Sequence, residues 1–290
     1  MVNHLPIREL INCGGKLIDL SEPRIMAIMN VTPDSFFQGS RLDSEQAILE
    51  KAGKSLEEGA SFLDIGGVST RPGASEVSLT EELDRVLPAI TLIKNNFPEA
   101  IISIDSWRAE VVKAAVIAGA SMVNDISGGK FDSQMWETVG ALDVPYIFMH
   151  TSGKPNEMQR NTDYKNVSLD ICDFFGANIQ TLLDHGIKDI ILDPGFGFGK
   201  TIQQNYQLLH DLPGFRILQC PLLVGLSRKS MIHKVLEISP HEALNGTTAV
   251  HMISLLNGAS ILRVHDVKEA NECIRVFSTY HKTNKVSTND

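Results

Sequence analysis

The chain has 290 residues, 43% of them hydrophobic and 21% charged, with a formal net charge of −9. That much apolar material can fill one large core, and the acidic balance gives no electrostatic basis for gripping nucleic-acid phosphates. The four cysteines are scattered without a C-x-x-C pair, no apolar run reaches the ~20 residues of a bilayer span, and the first ten residues lack a long apolar stretch, so a cytoplasmic protein with no membrane and no nucleic-acid partner is expected.

In chain order, Leu10–Leu20 contains Asn12-Cys13-Gly14-Gly15 and reads as a short β-hairpin, placed to plug the bottom of whatever follows. One pattern then recurs. A short run rich in Ile and Val ends in a polar or glycine-rich cluster, and an amphipathic helical stretch follows. The runs are Ile25–Val31, Phe62–Gly67, Ala100–Ser106, Met122–Ile126, Tyr146–His150, Asp189–Gly195, Pro221–Ser227 and Ser260–His265, eight in all. Helical periodicity is read over 44–58, 80–95, 108–118, 167–185 and 247–256, with Ser44 and Thr80 as N-caps and Gly59, Gly119, Gly186 and Gly258 as stops. Strand and helix in strict alternation imply parallel strands joined by right-handed crossovers. Eight such units favour an α/β fold closed into a (β/α)8 TIM barrel, a single domain over 1–290 whose polar tail, 283–290, is expected to be disordered.

In such a barrel the C-terminal ends of the strands meet on one face, where the active site sits. Those ends carry Asn30, Asp105, Asn124, His150, Asp193, the Ser227-Arg228-Lys229 cluster, Arg263 and His265, with Asp64 inside the second run. Asp105 and Asp193 follow apolar runs and need partners, either Lys229 or Arg263 or donors on a ligand. A carboxylate beside the amide of Asn124 suits a flat heterocycle with an amidine-like edge. Arg263 and His265 alternate onto one side of a strand, and with Lys229 they suit a diphosphate. Three loops read as specialised: 30–36, 66–73 and 193–200. The Gly-x-Gly-x-Gly of the last is a weak nucleotide signal and does not match the spacing of a dinucleotide fingerprint. The histidines are too scattered for a zinc site, whereas magnesium carried by a diphosphate would need only Asn30 as protein ligand.

Taken together, MAIMNVTPDSF (26–36), DIGGVSTRPGA (64–74), SIDSWRAEV (103–111), NDISGG (124–129), DPGFGFGK (193–200), GLSRKS (225–230) and RVH (263–265) make the chain resemble the dihydropteroate synthases of the pterin-binding family over residues 10–280. The resemblance implies condensation of a dihydropterin methyl diphosphate with p-aminobenzoate, release of diphosphate, magnesium as cofactor and a homodimer. It implies a pterin site of Asp105, Asn124, Met149, Asp193 and Lys229. It puts the diphosphate at Asn30, Arg263 and His265, the metal at Asn30, and p-aminobenzoate at Phe36, Thr70, Arg71, Pro72 and Ser227. Catalysis would fall to Asp105, Asp193, Lys229, Arg263 and His265. Gln38 and Val68 stand where the family often carries Asp and Glu, and Ser106 replaces a common Thr. Two rivals share the barrel, a pterin-binding methyltransferase and a non-catalytic pterin-binding subunit; neither would release diphosphate on addition of p-aminobenzoate.

Overall fold

The computed structural model describes residues 9–32, 41–68, 77–155, 157–158 and 161–286. Phe36, Gln38, Thr70, Arg71 and Pro72 lie outside them.

The hairpin pairs β1 (Leu10–Cys13) with β2 (Lys16–Asp19) in antiparallel register. Eight parallel strands follow: β3 (Arg24–Asn30), β4 (Phe62–Gly66), β5 (Ile101–Asp105), β6 (Met122–Asp125), β7 (Tyr146–Met149), β8 (Ile190–Asp193), β9 (Leu223–Val224) and β10 (Ile261–Val264). Their order is β8-β7-β6-β5-β4-β3-β10-β9. A parallel bridge between Leu192 and Leu222, with Leu192 N–H donating to Pro221 O at 2.9 Å, joins the two edges and closes the barrel. Closure matters physically because it brings together two edges that would otherwise present unpaired backbone groups. The run at 221–227 forms only a two-residue strand, preceded by the isolated bridge at Leu222.

Helices return each strand to the next. Leu79–Asn96 is capped by Ser78, whose Oγ accepts from Glu81 N–H at 3.2 Å, so Thr80 lies inside the helix instead of capping it. Ser44 likewise falls within Arg41–Glu57 and is buried. The sequence periodicity missed Met135–Leu142, Ile202–Asp211 and Val267–Val286. The second carried a readable signal, since Thr201 and Gln204 form a reciprocal capping box. The last helix runs into the stretch expected to be disordered; Thr283 Oγ1 bonds Thr279 O at 3.0 Å there, a local i−4 contact that composition does not reveal. No helix among the described residues is long and apolar enough to cross a membrane.

Two apolar clusters hold the fold. The larger fills the space between strands and helices, where outward-facing Leu63, Ile65, Ile102, Ile104, Phe148 and Leu192 meet the helices. The smaller lies inside the barrel: Met26, Phe62, Ile101, Met122, Ile147, Ile191, Leu223 and Ile261, one from each strand, sealed from below by Ile11, Cys13 and Leu20. The hairpin is therefore a plug, pinned by Asn12 N–H to Asp189 Oδ2 at 2.8 Å.

Candidate active site

Side chains two apart on a strand point the same way. One step up from the inner apolar layer, the barrel axis receives Ile28, Asp64, Ser103, Asn124, Met149, Asp193, Gly225 and Arg263; a further step brings Asn30, Gly66, Asp105, Ser227 and His265. The interior thus changes from wholly apolar to mostly polar within one step toward the C-terminal rim.

Asp64 is fully buried at the centre of this polar layer. Its Oδ2 accepts from Arg263 Nε at 2.6 Å and from Asn124 Nδ2 at 2.9 Å. Arg263 also donates an NH2 hydrogen to Asp105 Oδ2 at 2.6 Å. One guanidinium therefore ties together β4, β5 and β10, and the amide from β6 joins them. Burial works against the charge of Arg263, but Asp64 and Asp105 outweigh it and raise its pKa, so it stays protonated. Asp105 is pushed up to about 7, chiefly by burial; Arg263 opposes the shift, and Asp64, Glu82 and Asp125 add to it.

On the other side of the cleft, Asp193 ends β8 in register with Met149 of β7. Burial raises its pKa against the pull of Lys229 and the Gly195 N–H, which donates to its Oδ1 at 2.8 Å. Lys229 sets its ammonium on Phe196 O and over the Phe198 ring, 4.8 Å from the centroid. Burial lowers its pKa to about 8, with Asp193 opposing. Gly225 separates the two cations: a Cβ there would stand 3.8 Å from Lys229 Nζ and 4.0 Å from Arg263 Cβ.

At the rim, Asn30 ends β3 half-buried and in register with Gly66, whose missing Cβ would lie 3.4 Å from Asp105 Cβ. His265 Nδ1 is 3.0 Å from Ser227 Oγ. Burial, then Arg263, lowers its pKa to about 4. Near pH 7 the free protein therefore holds this ring neutral, and the expected cluster of three cations is two cations and a hydrogen-bonding imidazole. Arg228, between Ser227 and Lys229, turns outward to pair with Asp266 at 2.8 Å.

The structure thus brings Asn30, Asp105, Asn124, Met149, Asp193, Ser227, Lys229, Arg263 and His265 to one end of the barrel. It pairs Arg263 with Asp105, while Lys229 donates to Phe196 O and acts on Asp193 through its charge alone, where the sequence left the choice of partner open. Asp64 was missed as a site residue, although a carboxylate inside Phe-Leu-Asp-Ile-Gly needs a buried partner by the argument applied to Asp105. The link from Glu82 to Ser106 (Oγ donating at 2.6 Å) and Arg108 behind Asp105 was also missed. No local pattern announces it.

Fold and site together define an α/β-barrel enzyme with a buried polar cleft of carboxylates, amide and cations at its C-terminal rim. The profile of the pterin binding enzymes matches residues 26–265, and the chain belongs to that family. It is 42% identical over 264 residues to the dihydropteroate synthase of Escherichia coli (strain K12), covering 90% of this chain and 93% of that one. A Yersinia pestis dihydropteroate synthase solved as a sulfonamide drug complex superposes with a TM-score of 0.88 at 39% identity, covering 94% and 99% of the two chains. The Xanthomonas albilineans enzyme with 4-aminobenzoic acid gives 0.87 at 36% identity, covering 94% and 98%.

Proposed function

We infer that this chain is a dihydropteroate synthase, a transferase of folate biosynthesis that joins (7,8-dihydropterin-6-yl)methyl diphosphate to p-aminobenzoate and releases diphosphate. The observation that carries the reading is the convergence of Asp105, Asn124, Asp193 and Lys229, from four separate segments, on one buried cleft. An amide and carboxylates of raised pKa suit the amidine-like edge of a pterin, which needs donors and acceptors out of water.

The bond that breaks joins the pterin methylene carbon to a diphosphate oxygen, and its electron pair leaves with the diphosphate. Positive charge spreads into the pterin, where Asp105 and Asp193 stabilise it. Lys229 holds the pterin beside Asp193, and Met149 closes the apolar side of the pocket. Arg263 and His265 receive the departing diphosphate, with the neutral imidazole donating a hydrogen bond or taking a proton as negative charge gathers near it. The arylamine, neutral near pH 7, attacks with its lone pair, forms the C–N bond and gives up a proton. Positioning supplies much of the rate. The resemblance assigns the p-aminobenzoate subsite to Phe36, Thr70, Arg71, Pro72 and Ser227, and sulfonamides would compete there.

Magnesium prefers oxygen ligands, keeps several waters and commonly takes one or two protein oxygens beside phosphate. The half-buried amide oxygen of Asn30, at the rim next to Gly66 and Asp105, fits that need. Asn30 would hold the ion, which supplies charge neutralisation to the diphosphate. A homodimer is also proposed, supported by exposed Ile253, Leu256, Val276 and Tyr280 on two neighbouring helices.

The test is diphosphate release measured with both substrates and with each omitted. The synthase reading requires release that depends on p-aminobenzoate; pterin binding without it would favour the non-catalytic rival.

A further inference from the structure

The turn after β8 holds a second buried lysine that the reaction above does not use. Lys200 is 4% exposed. Its ammonium donates to Gly195 O at 2.8 Å and Phe198 O at 3.1 Å, and lies 3.3 Å from His150 Nδ1. Burial lowers the Lys200 pKa to about 7, with Asp193 opposing, and lowers that of His150 to about 2, so the imidazole is a neutral acceptor. A charge so deeply buried is costly and persists only where its hydrogen bonds organise something.

What it organises is the turn from which both Asp193 and Lys229 take their support. Gly195 passes its carbonyl to Lys200 and its N–H to Asp193 Oδ1. The next carbonyl, Phe196 O, takes the Lys229 ammonium. Phe198 gives its carbonyl to Lys200 and its ring face to Lys229. The carbonyls of Gly195, Phe196 and Phe198 are thus divided between two lysines, Lys229 taking the middle one and Lys200 the other two. The turn also lies flush on the end of β7: a Cβ on Gly195, at φ +72°, would come within 1.9 Å of His150 O, and one on Gly199 within 1.7 Å of Ser152 Oγ.

We propose that Lys200 is a positioning residue for the pterin subsite, its buried ammonium holding the 195–198 turn in the shape that aims Asp193 and Lys229 at the substrate. The proposal rests on the pterin-transfer reading above. It explains why the glycine-rich turn ends in a lysine, which the substrate contacts alone do not.

The test compares Lys200→Met and Lys200→Gln with the native chain. Calorimetry with the dihydropterin methyl diphosphate should show Kd rising about tenfold or more in Lys200→Met, while KM for p-aminobenzoate at saturating pterin stays within about twofold. Lys200→Gln keeps an uncharged amide NH2 that can donate to the carbonyls and should lose less, about threefold; it carries the test if the methionine variant does not fold. A merely structural lysine would lower the melting temperature and leave the pterin Kd of the folded variants unchanged, which would overturn the proposal, as would a loss confined to p-aminobenzoate. Native chain that binds pterin but releases no diphosphate would instead sink the transfer reading and leave the Kd comparison standing.

Discussion

The two ends of the barrel are built from the same eight strands and differ by one two-residue step. At the bottom, Met26, Phe62, Ile101, Met122, Ile147, Ile191, Leu223 and Ile261 form a dry layer closed by the hairpin. One step up, Asp64, Asn124, Asp193 and Arg263 share the same axis. The lower layer stabilises by burial, which is non-directional and tolerant of shape. In the upper layer each charge is stable only while its particular partner is present. The lower layer thus carries stability alone, whereas the upper layer carries stability and chemistry together, and substitutions in the two layers should fail in different ways.

The largest effect should come from Arg263→Met, which leaves Asp64 and Asp105 buried without their shared cation. A stability loss of about 3–5 kcal/mol in denaturant titration and a fall in kcat/KM of about 10²–10³ are expected. Near-native values for both would mean that the carboxylates have other partners. Phe62→Ala, in the dry layer, should cost about 3–5 kcal/mol of stability through the cavity it opens, while the folded variant binds pterin as the native chain does. A large change in pterin Kd would break the separation of layers.

Lys229→Ala should spare most of the stability and weaken pterin binding by roughly 10–100-fold, read by calorimetry. The smallest effect is one of pH. Asp105 acts as a carboxylate and is pushed up to about 7, so kcat/KM should climb as pH rises through about 7; Lys229 acts as an ammonium and is pushed down to about 8, so activity should decline above about 8. Asp105→Asn should abolish the acidic limb, and its persistence would assign that limb to another group. Stability has the opposite sign. Because the native state takes up the Asp105 proton before the unfolded chain does, its contribution declines as pH rises from the ordinary carboxylate range through about 7 and is level above.

The sequence by itself determined the strand–helix alternation, the eight runs, the hairpin, the helix-stopping glycines and the polar residues at strand ends. All of these rest on local periodicity and local backbone preference. It did not show that Ser78 rather than Thr80 caps a helix, because that depends on which hydroxyl reaches the third N–H. Only the tertiary structure decided that Arg263 pairs with Asp64 and Asp105 while Lys229 rests on Phe196 O within the field of Asp193, that His265 is neutral, and that Lys200 is buried under its own turn. Pairing across the axis is set by how the closed strands are staggered, and each charge is set by its depth from water. Both are properties of segments up to 199 residues apart, as Asp64 and Arg263 are, and no window of sequence contains them.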